Sequence, residues 1–158
     1  MATQEKIKDR ESLKLWVEQE YSKGGKVVFT NGCFDILHLG HIDYLEKAHS
    51  LGTKLVVGLN SDDSVCRLKG PERPINKEYA RARMIAALEF VDAVCVFEED
   101  TPKELIETIN PQILVKGGDY SIETIVGAEF VMKQGGEVRT IDLVDGYSTT
   151  GIIEKLKD

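Results

Sequence analysis

Short apolar runs separated by helix-patterned segments decide what this chain can fold into. Val27–Thr30, Lys54–Leu59, Ala93–Phe97 and Ile113–Lys116 are rich in Val, Ile, Leu and Phe, and Glu137–Ile141 reads as a fifth strand. An unbroken apolar run fits a strand buried on both faces, as in a parallel sheet. Strands alternating with helices argue for a doubly wound α/β sheet covered on both sides. The order 3-2-1-4-5 is expected for such a sheet, with strands one and four side by side where the winding reverses. Ligands bind there, outside the carboxyl ends of the strands. His38 and His41, after strand one, then face Lys116–Tyr120, after strand four.

The helices follow from periodicity and punctuation. Residues 11–22 carry Leu13, Trp16, Val17 and Tyr21 at helical spacing, ended by Gly24-Gly25. Ile42–Ala48 reads as a helix stopping at Gly52, and Asp62–Leu68 as a short helical turn before a polar loop reaching Lys77. Tyr79–Phe90 is helical. Thr101-Pro102-Lys103-Glu104 predicts a helix start, with Thr as cap, Pro in the first turn and Glu closing a capping box. Glu123–Gln134 is read as one helix, and Ser148-Thr149-Thr150 opens the last, Gly151–Lys157. We expect one domain over 1–158: an N-terminal helix in 1–25 and the sheet with its helices in 26–158.

The stretch Thr30-Asn31-Gly32-Cys33-Phe34-Asp35-Ile36-Leu37-His38-Leu39-Gly40-His41 carries the chemistry. His38 and His41 are three residues apart, so a helix starting near them puts both on one face. Gly40 removes a side chain between them and allows a phosphate to approach the backbone. The free N–H groups of a first helical turn would point at that phosphate, and two imidazoles add donors whose charge an anion can set. A pair of capping or core histidines is the bland alternative. No third ligand stands beside them in a clear pattern, so no metal site on the chain is expected. Neither a Gly-x-Ser-x-Gly elbow nor a P-loop is present.

Bulk properties narrow the partners. The 158 residues carry a net charge of −7 and no basic run, which argues against nucleic acid as ligand. No apolar stretch of about 20 residues predicts a membrane span, and the first residues lack a secretion pattern, so a cytoplasmic protein is expected. Cys33, Cys66 and Cys95 are odd in number and widely spaced, which suits reduced thiols better than a disulfide framework or a zinc ribbon.

The His-x-Gly-His motif resembles the signature of the nucleotidyltransferase superfamily that includes the cytidylyltransferases and pantetheine-phosphate adenylyltransferase. The longer string Phe29–His41 is similar to the branch that makes ADP-heptose from D-glycero-D-manno-heptose 1-phosphate and ATP. The similarity continues through Asn60-Ser61-Asp62, Arg67-Leu68-Lys69-Gly70, Arg73-Pro74, Arg83-Met84, Phe97–Pro102, Val115–Tyr120 and Ser148–Thr150, and covers roughly Lys26 to Leu156. It implies a Rossmann-like fold of the nucleotidyltransferase type.

The reaction implied is attack of a sugar phosphate on the α-phosphorus of ATP, with pyrophosphate leaving. On that resemblance His38 and His41 stabilise the α-phosphoryl oxygens. Lys69 reaches the β- and γ-phosphates from a loop, Arg73 does so more weakly, and Arg83 points at the leaving pyrophosphate. Each of these three has a plain alternative as a solvated or ion-paired surface residue. Thr30, Asn31, Gly32, Cys33, Phe34 and Gly40 would contact the nucleotide or sugar phosphate, with Cys33 a packed residue and not a nucleophile. Lys116, Gly118 and Asp119 end strand four; Asp119 would hold Mg²⁺ or a ligand hydroxyl, or simply form a turn. Ser148, Thr149 and Thr150 cap a helix that can serve as a second phosphate cradle. Asp35 would orient a histidine or a substrate hydroxyl, and Asp62 would touch the sugar.

The expected protein is an adenylyltransferase using Mg²⁺ and ATP. A separate heptose kinase would supply heptose 1-phosphate, and the product would feed lipopolysaccharide or another surface glycan. A homo-oligomer is expected, with Trp16 and Tyr21 either at an interface or packed on the sheet. The alternatives are a cytidylyltransferase acting on glycerol 3-phosphate or a similar alcohol phosphate, and a non-catalytic nucleotide- or metal-binding module.

Overall fold

The computed structural model describes residues 2–118 and 120–157. Five parallel strands, β1 (Val27–Gly32), β2 (Lys54–Asn60), β3 (Ala93–Phe97), β4 (Ile113–Gly117) and β5 (Glu137–Ile141), form one sheet in the order β3-β2-β1-β4-β5. The expected fold class and strand order are both present. Alternation along β1 sends Val27 and Phe29 to one face and Val28 to the other, and each face carries its own core. On one side Phe29, Val56 and Leu114 pack with Leu13 and Val17 of α1 (Arg10–Ser22), Leu105 and Ile106 of α5 (Lys103–Ile109) and Val131 of α6 (Ala128–Lys133). On the other, Val28, Leu55 and Val57 pack with Tyr44 and Leu45 of α2 (Leu39–His49) and Ile85 of α4 (Glu78–Ala86). Trp16 and Tyr21 lie partly buried against the first core, and the Tyr21 hydroxyl donates to the Asn110 carbonyl at 2.6 Å.

Several helices differ from expectation for local reasons. The turn after β2 is a full helix, α3 (Asp62–Lys69), because Ser61 caps it by accepting from the Ser64 N–H. α4 ends at Ala86, short of Phe90. The chain there turns so that Asp92 accepts from the Leu55 N–H at 2.8 Å, pinning the entry to β3. α5 begins at Lys103 with Pro102 in the cap position and no side-chain cap bond, so the Thr101 cap is not made. Glu123–Gln134 is not one helix. A 3-10 turn (Ile122–Thr124) runs into extended Ile125, and Gly127 at φ 86 then starts α6. The last helix, α7 (Thr149–Leu156), starts two residues earlier than expected.

The sheet parts where the site must form. β1 pairs with β2 over six residues but with β4 over only two, Val28↔Ile113 and Phe29↔Leu114. Past that point buried Thr30 and Tyr44 fill the gap: the Thr30 hydroxyl donates to the Tyr44 hydroxyl at 2.5 Å, which donates to the Val115 carbonyl at 3.1 Å.

Packing in the sheet's middle is tight enough to predict a cost. A Cβ at Gly58 of β2 would meet the Phe29 ring at 2.7 Å, and Phe29 is fully enclosed. Gly58→Ala is expected to lower the unfolding free energy by about 1–3 kcal/mol, the usual cost of overpacking, measured by urea denaturation. An unchanged midpoint would mean that the Phe29 ring repacks freely.

Candidate functional site

A cleft of about 690 Å³ opens over the parting of β1 and β4, a size suited to a nucleotide-like ligand. Its floor is the turn after β1, and Asn31, Gly32, Cys33 and Phe34 all line it. α2 enters from this turn with His38 in its cap position and no side-chain cap bond, so its first turn presents an open end to the cleft. The His38 and His41 rings stack, with centroids 3.8 Å apart and planes 24° apart. Gly40 is needed for that: a Cβ there would sit 2.8 Å from His38 Cε1.

The Nδ1 atoms of both rings are buried without a hydrogen-bond partner. A buried polar atom left unpaired is costly and calls for a ligand or water. Burial, and after it the neighbouring His38, pushes His41 down to about 4, and burial lowers His38 as well. The pair is therefore neutral near pH 7.

Cations approach from three sides. Lys116, the last residue but one of β4, is half-buried, its affinity for a proton lowered by burial, with Nζ 5.7 Å from the centre of the Tyr120 ring. Lys69 is the last residue of α3 and reaches the cleft from the exposed side. Arg73 also lines it, but its Nε donates to Asp35 Oδ2 at 2.9 Å. Cys33 stands among these charges. Burial pushes its thiol up despite the pull of Lys69, Arg81 and Arg73, so it offers no ready thiolate. Opposite, Ser148 caps α7 by accepting from the Gly151 N–H, and the Thr149 hydroxyl donates to the Ile36 carbonyl at 3.1 Å. With Thr150 they bring a second helix start to the same cleft.

Other expected residues stand elsewhere or face other work. Thr30 lies behind the floor, bonded to Tyr44. Asp35 borders the cleft, yet its carboxylate accepts from Arg73, the Ile75 N–H and the Asn76 N–H. Burial raises this acid, but those three donors outweigh it and hold the carboxyl below its usual range. Gly118, at φ 97, bonds through its N–H to the Ile141 carbonyl and is not part of the wall. The Asp62 carboxylate meets Arg81, away from the cleft. Arg83 is not brought to the site: its guanidinium donates to the Thr3 hydroxyl and the Tyr79 hydroxyl. Asp119 lies outside the described residues.

Sequence reasoning passed over Arg81 and Tyr44. Arg81 belongs to the stripe 81, 82, 85, 86 that α4 buries, whereas Arg83 points off that stripe. Helical periodicity alone contained this signal. Tyr147 lies along His38 at 6.4 Å between ring centres, and with exposed Leu143 and Tyr120 it forms an apolar lip.

A family model described as cytidylyltransferase-like matches residues 29–155. The chain belongs to the cytidylyltransferase-like family. It is 60% identical over 153 residues to the bifunctional protein HldE of Syntrophotalea carbinolica, covering 97% of this chain and 31% of that protein. It is 54% identical over 155 residues to HldE of Nitratiruptor sp., 98% of this chain and 33% of that one. The chain thus spans about a third of the length of the curated relatives it matches. Among solved structures, a lipopolysaccharide core biosynthesis protein from Thermoplasma volcanium superposes with a TM-score of 0.61 at 32% identity, over 79% of this chain and all of that one. The matched region of this family member contains the whole cleft.

The neutral histidine pair predicts a pH effect. Unfolded, His41 takes a proton near pH 6.5; folded, only near pH 4. Across that window the unfolded chain binds more protons, so stability falls as pH drops through it. His41→Gln is expected to lose less of its thermal midpoint between about pH 7 and about pH 5 than the parent chain does. Equal losses would mean that folded His41 titrates like an exposed imidazole.

Proposed function

We propose that the chain transfers AMP from ATP to D-glycero-D-manno-heptose 1-phosphate, releasing pyrophosphate and ADP-heptose for lipopolysaccharide core or related surface glycans. The observation that carries this reading is the stacked pair of neutral histidines with buried, unpartnered Nδ1 atoms, set at an uncapped helix start in the cleft that a half-buried lysine also lines. Membership of the cytidylyltransferase-like family supports the reaction class, and the HldE relatives and the lipopolysaccharide-core structure support the acceptor. We read the enzyme as cytoplasmic, where ATP is at hand; no helix among the described residues is long and apolar enough to cross a membrane.

The acceptor's phosphate is an anion near neutral pH, its second pKa being about 6, so no strong base is needed. One of its oxygens attacks the α-phosphorus in line. The bond from that phosphorus to the bridging oxygen breaks, and the electron pair leaves on pyrophosphate. The protein's contribution is position and charge. His38 and His41 hold the α-phosphoryl oxygens, and Lys116 adds a cation on the β4 side. Lys69 and the start of α7 receive the β- and γ-phosphates. Arg73 and Asp35 act one step back, holding the loop that follows Lys69.

Among the described residues no group of three or more His, Cys, Asp or Glu side chains forms a metal cage. Mg²⁺ is proposed to arrive as the counter-ion of ATP, held mainly by phosphates and water, its ordinary habit. A kinase acting on the anomeric hydroxyl must supply the acceptor.

The test is pyrophosphate release with Mg²⁺, ATP or CTP, and heptose 1-phosphate or glycerol 3-phosphate. Release is expected with ATP and heptose 1-phosphate together, and His41→Ala is expected to reduce kcat by about 10²–10³-fold, the scale for losing one stabilising donor. Release with CTP and the alcohol phosphate instead would keep the mechanism and overturn the substrate. No release in any pairing would overturn the reaction.

A further inference from the structure

The charge that phosphate chemistry leaves unexplained is buried beneath the cleft. Arg81 lies on the inner stripe of α4 and is fully enclosed. Its guanidinium joins segments that are far apart in sequence. Nη1 donates to the Cys33 carbonyl at 2.8 Å and to the Asn60 carbonyl at 2.8 Å. Nε donates to the Asn76 carbonyl at 2.9 Å, and Nη2 meets Asp62 Oδ1 at 3.0 Å. One partly exposed carboxylate is a poor return for burying a cation, and an apolar side chain of similar size would fill the space at less cost. The arrangement instead suits a planar fork whose donors must reach several carbonyls at fixed angles.

The Cys33 carbonyl belongs to the peptide that leads into Phe34. Phe34 has φ 47, in the left-handed region that bulky residues avoid. Such a conformation persists only where its surroundings enforce it. Gly32 makes room for the ring, since a Cβ there would stand 2.8 Å from Phe34 Cε2. The other side of the ring meets His41 edge-on, with centroids 5.1 Å apart and planes at 61°. Arg81, Cys33, Phe34 and His41 thus form a continuous line from the buried guanidinium to the imidazole.

We propose that Arg81 is a positioning residue for His41: by holding the Cys33 carbonyl it keeps Phe34 left-handed and the Phe34 ring against the imidazole, without touching substrate. Its kinetic consequence rests on the adenylyl-transfer reading; its structural consequence does not.

The experiment pairs two readouts on Arg81→Lys and Asp62→Ala. Lysine keeps the charge but not the fork, and Asp62→Ala removes one anchor of the guanidinium while leaving Arg81 in place. In the ligand-free protein at about pH 8, the His41 imidazole proton signals are followed by NMR. Both variants are expected to move the His41 signal and to leave that of His49, which lies beside Asp92, in place. In pyrophosphate release, Arg81→Lys is expected to lower kcat by about 10²-fold, the scale for a small misplacement of a reacting group, with little change in KM for ATP. A folded variant with an unmoved His41 signal overturns the proposal, as does a lowered melting temperature with kcat intact. If Arg81→Lys does not fold, Asp62→Ala decides by the His41 signal alone. A moved signal in a protein whose parent form releases no pyrophosphate upholds the positioning and overturns the reaction.

Discussion

β1 and β4 lie side by side and run the same way, but the helices that follow them leave toward opposite faces. α2 packs over Val28 and Leu55, whereas α6 packs over Phe29 and Leu114. Neither helix can roof the strand ends between them, so the winding leaves a crevice whose walls are turns and helix starts. The polar bridge from Thr30 through Tyr44 to Val115 keeps the strands apart without leaving unpaired groups behind. Every group placed around the cleft depends on that parting. The histidines, Lys116 and the Ser148 cap come from segments that share only their position at the carboxyl ends of the strands.

The electrostatics follow from the same geometry. The chain carries a net charge of −7, yet its cleft collects Lys69, Arg73 and Lys116 beside two neutral imidazoles. An anion entering such a site meets the uncapped start of α2, the start of α7 and two neutral imidazoles. The unpaired Nδ1 atoms are shut away from solvent, so the free protein bears their cost.

Much of this was legible in the sequence, and the reasons are specific. Unbroken runs such as Leu55–Leu59 announce buried parallel strands, and alternation with helices leaves few topologies. The paired histidines were legible because their spacing puts both rings on one helix face and the intervening glycine leaves room beside them. Arg83 and Asp35 are engaged by other partners, for different reasons. Similarity drew attention to Arg83-Met84, but the buried stripe of α4 selects Arg81, two residues earlier on another side of the helix. Asp35 does sit at the cleft, but its acceptors are taken by Arg73, Ile75 and Asn76, whose arrival depends on a loop path that no periodicity encodes. The break at Gly127 was hidden because the apolar pattern continues across it.

The bond from the Thr149 hydroxyl to the Ile36 carbonyl spans 113 positions of sequence. It joins one of the last turns of the fold to the first turn of the cleft. Ile36 stands two residues before His38, so a shift of the α7 start is passed to the turn that carries the histidines, and these two walls of the cleft move as one piece.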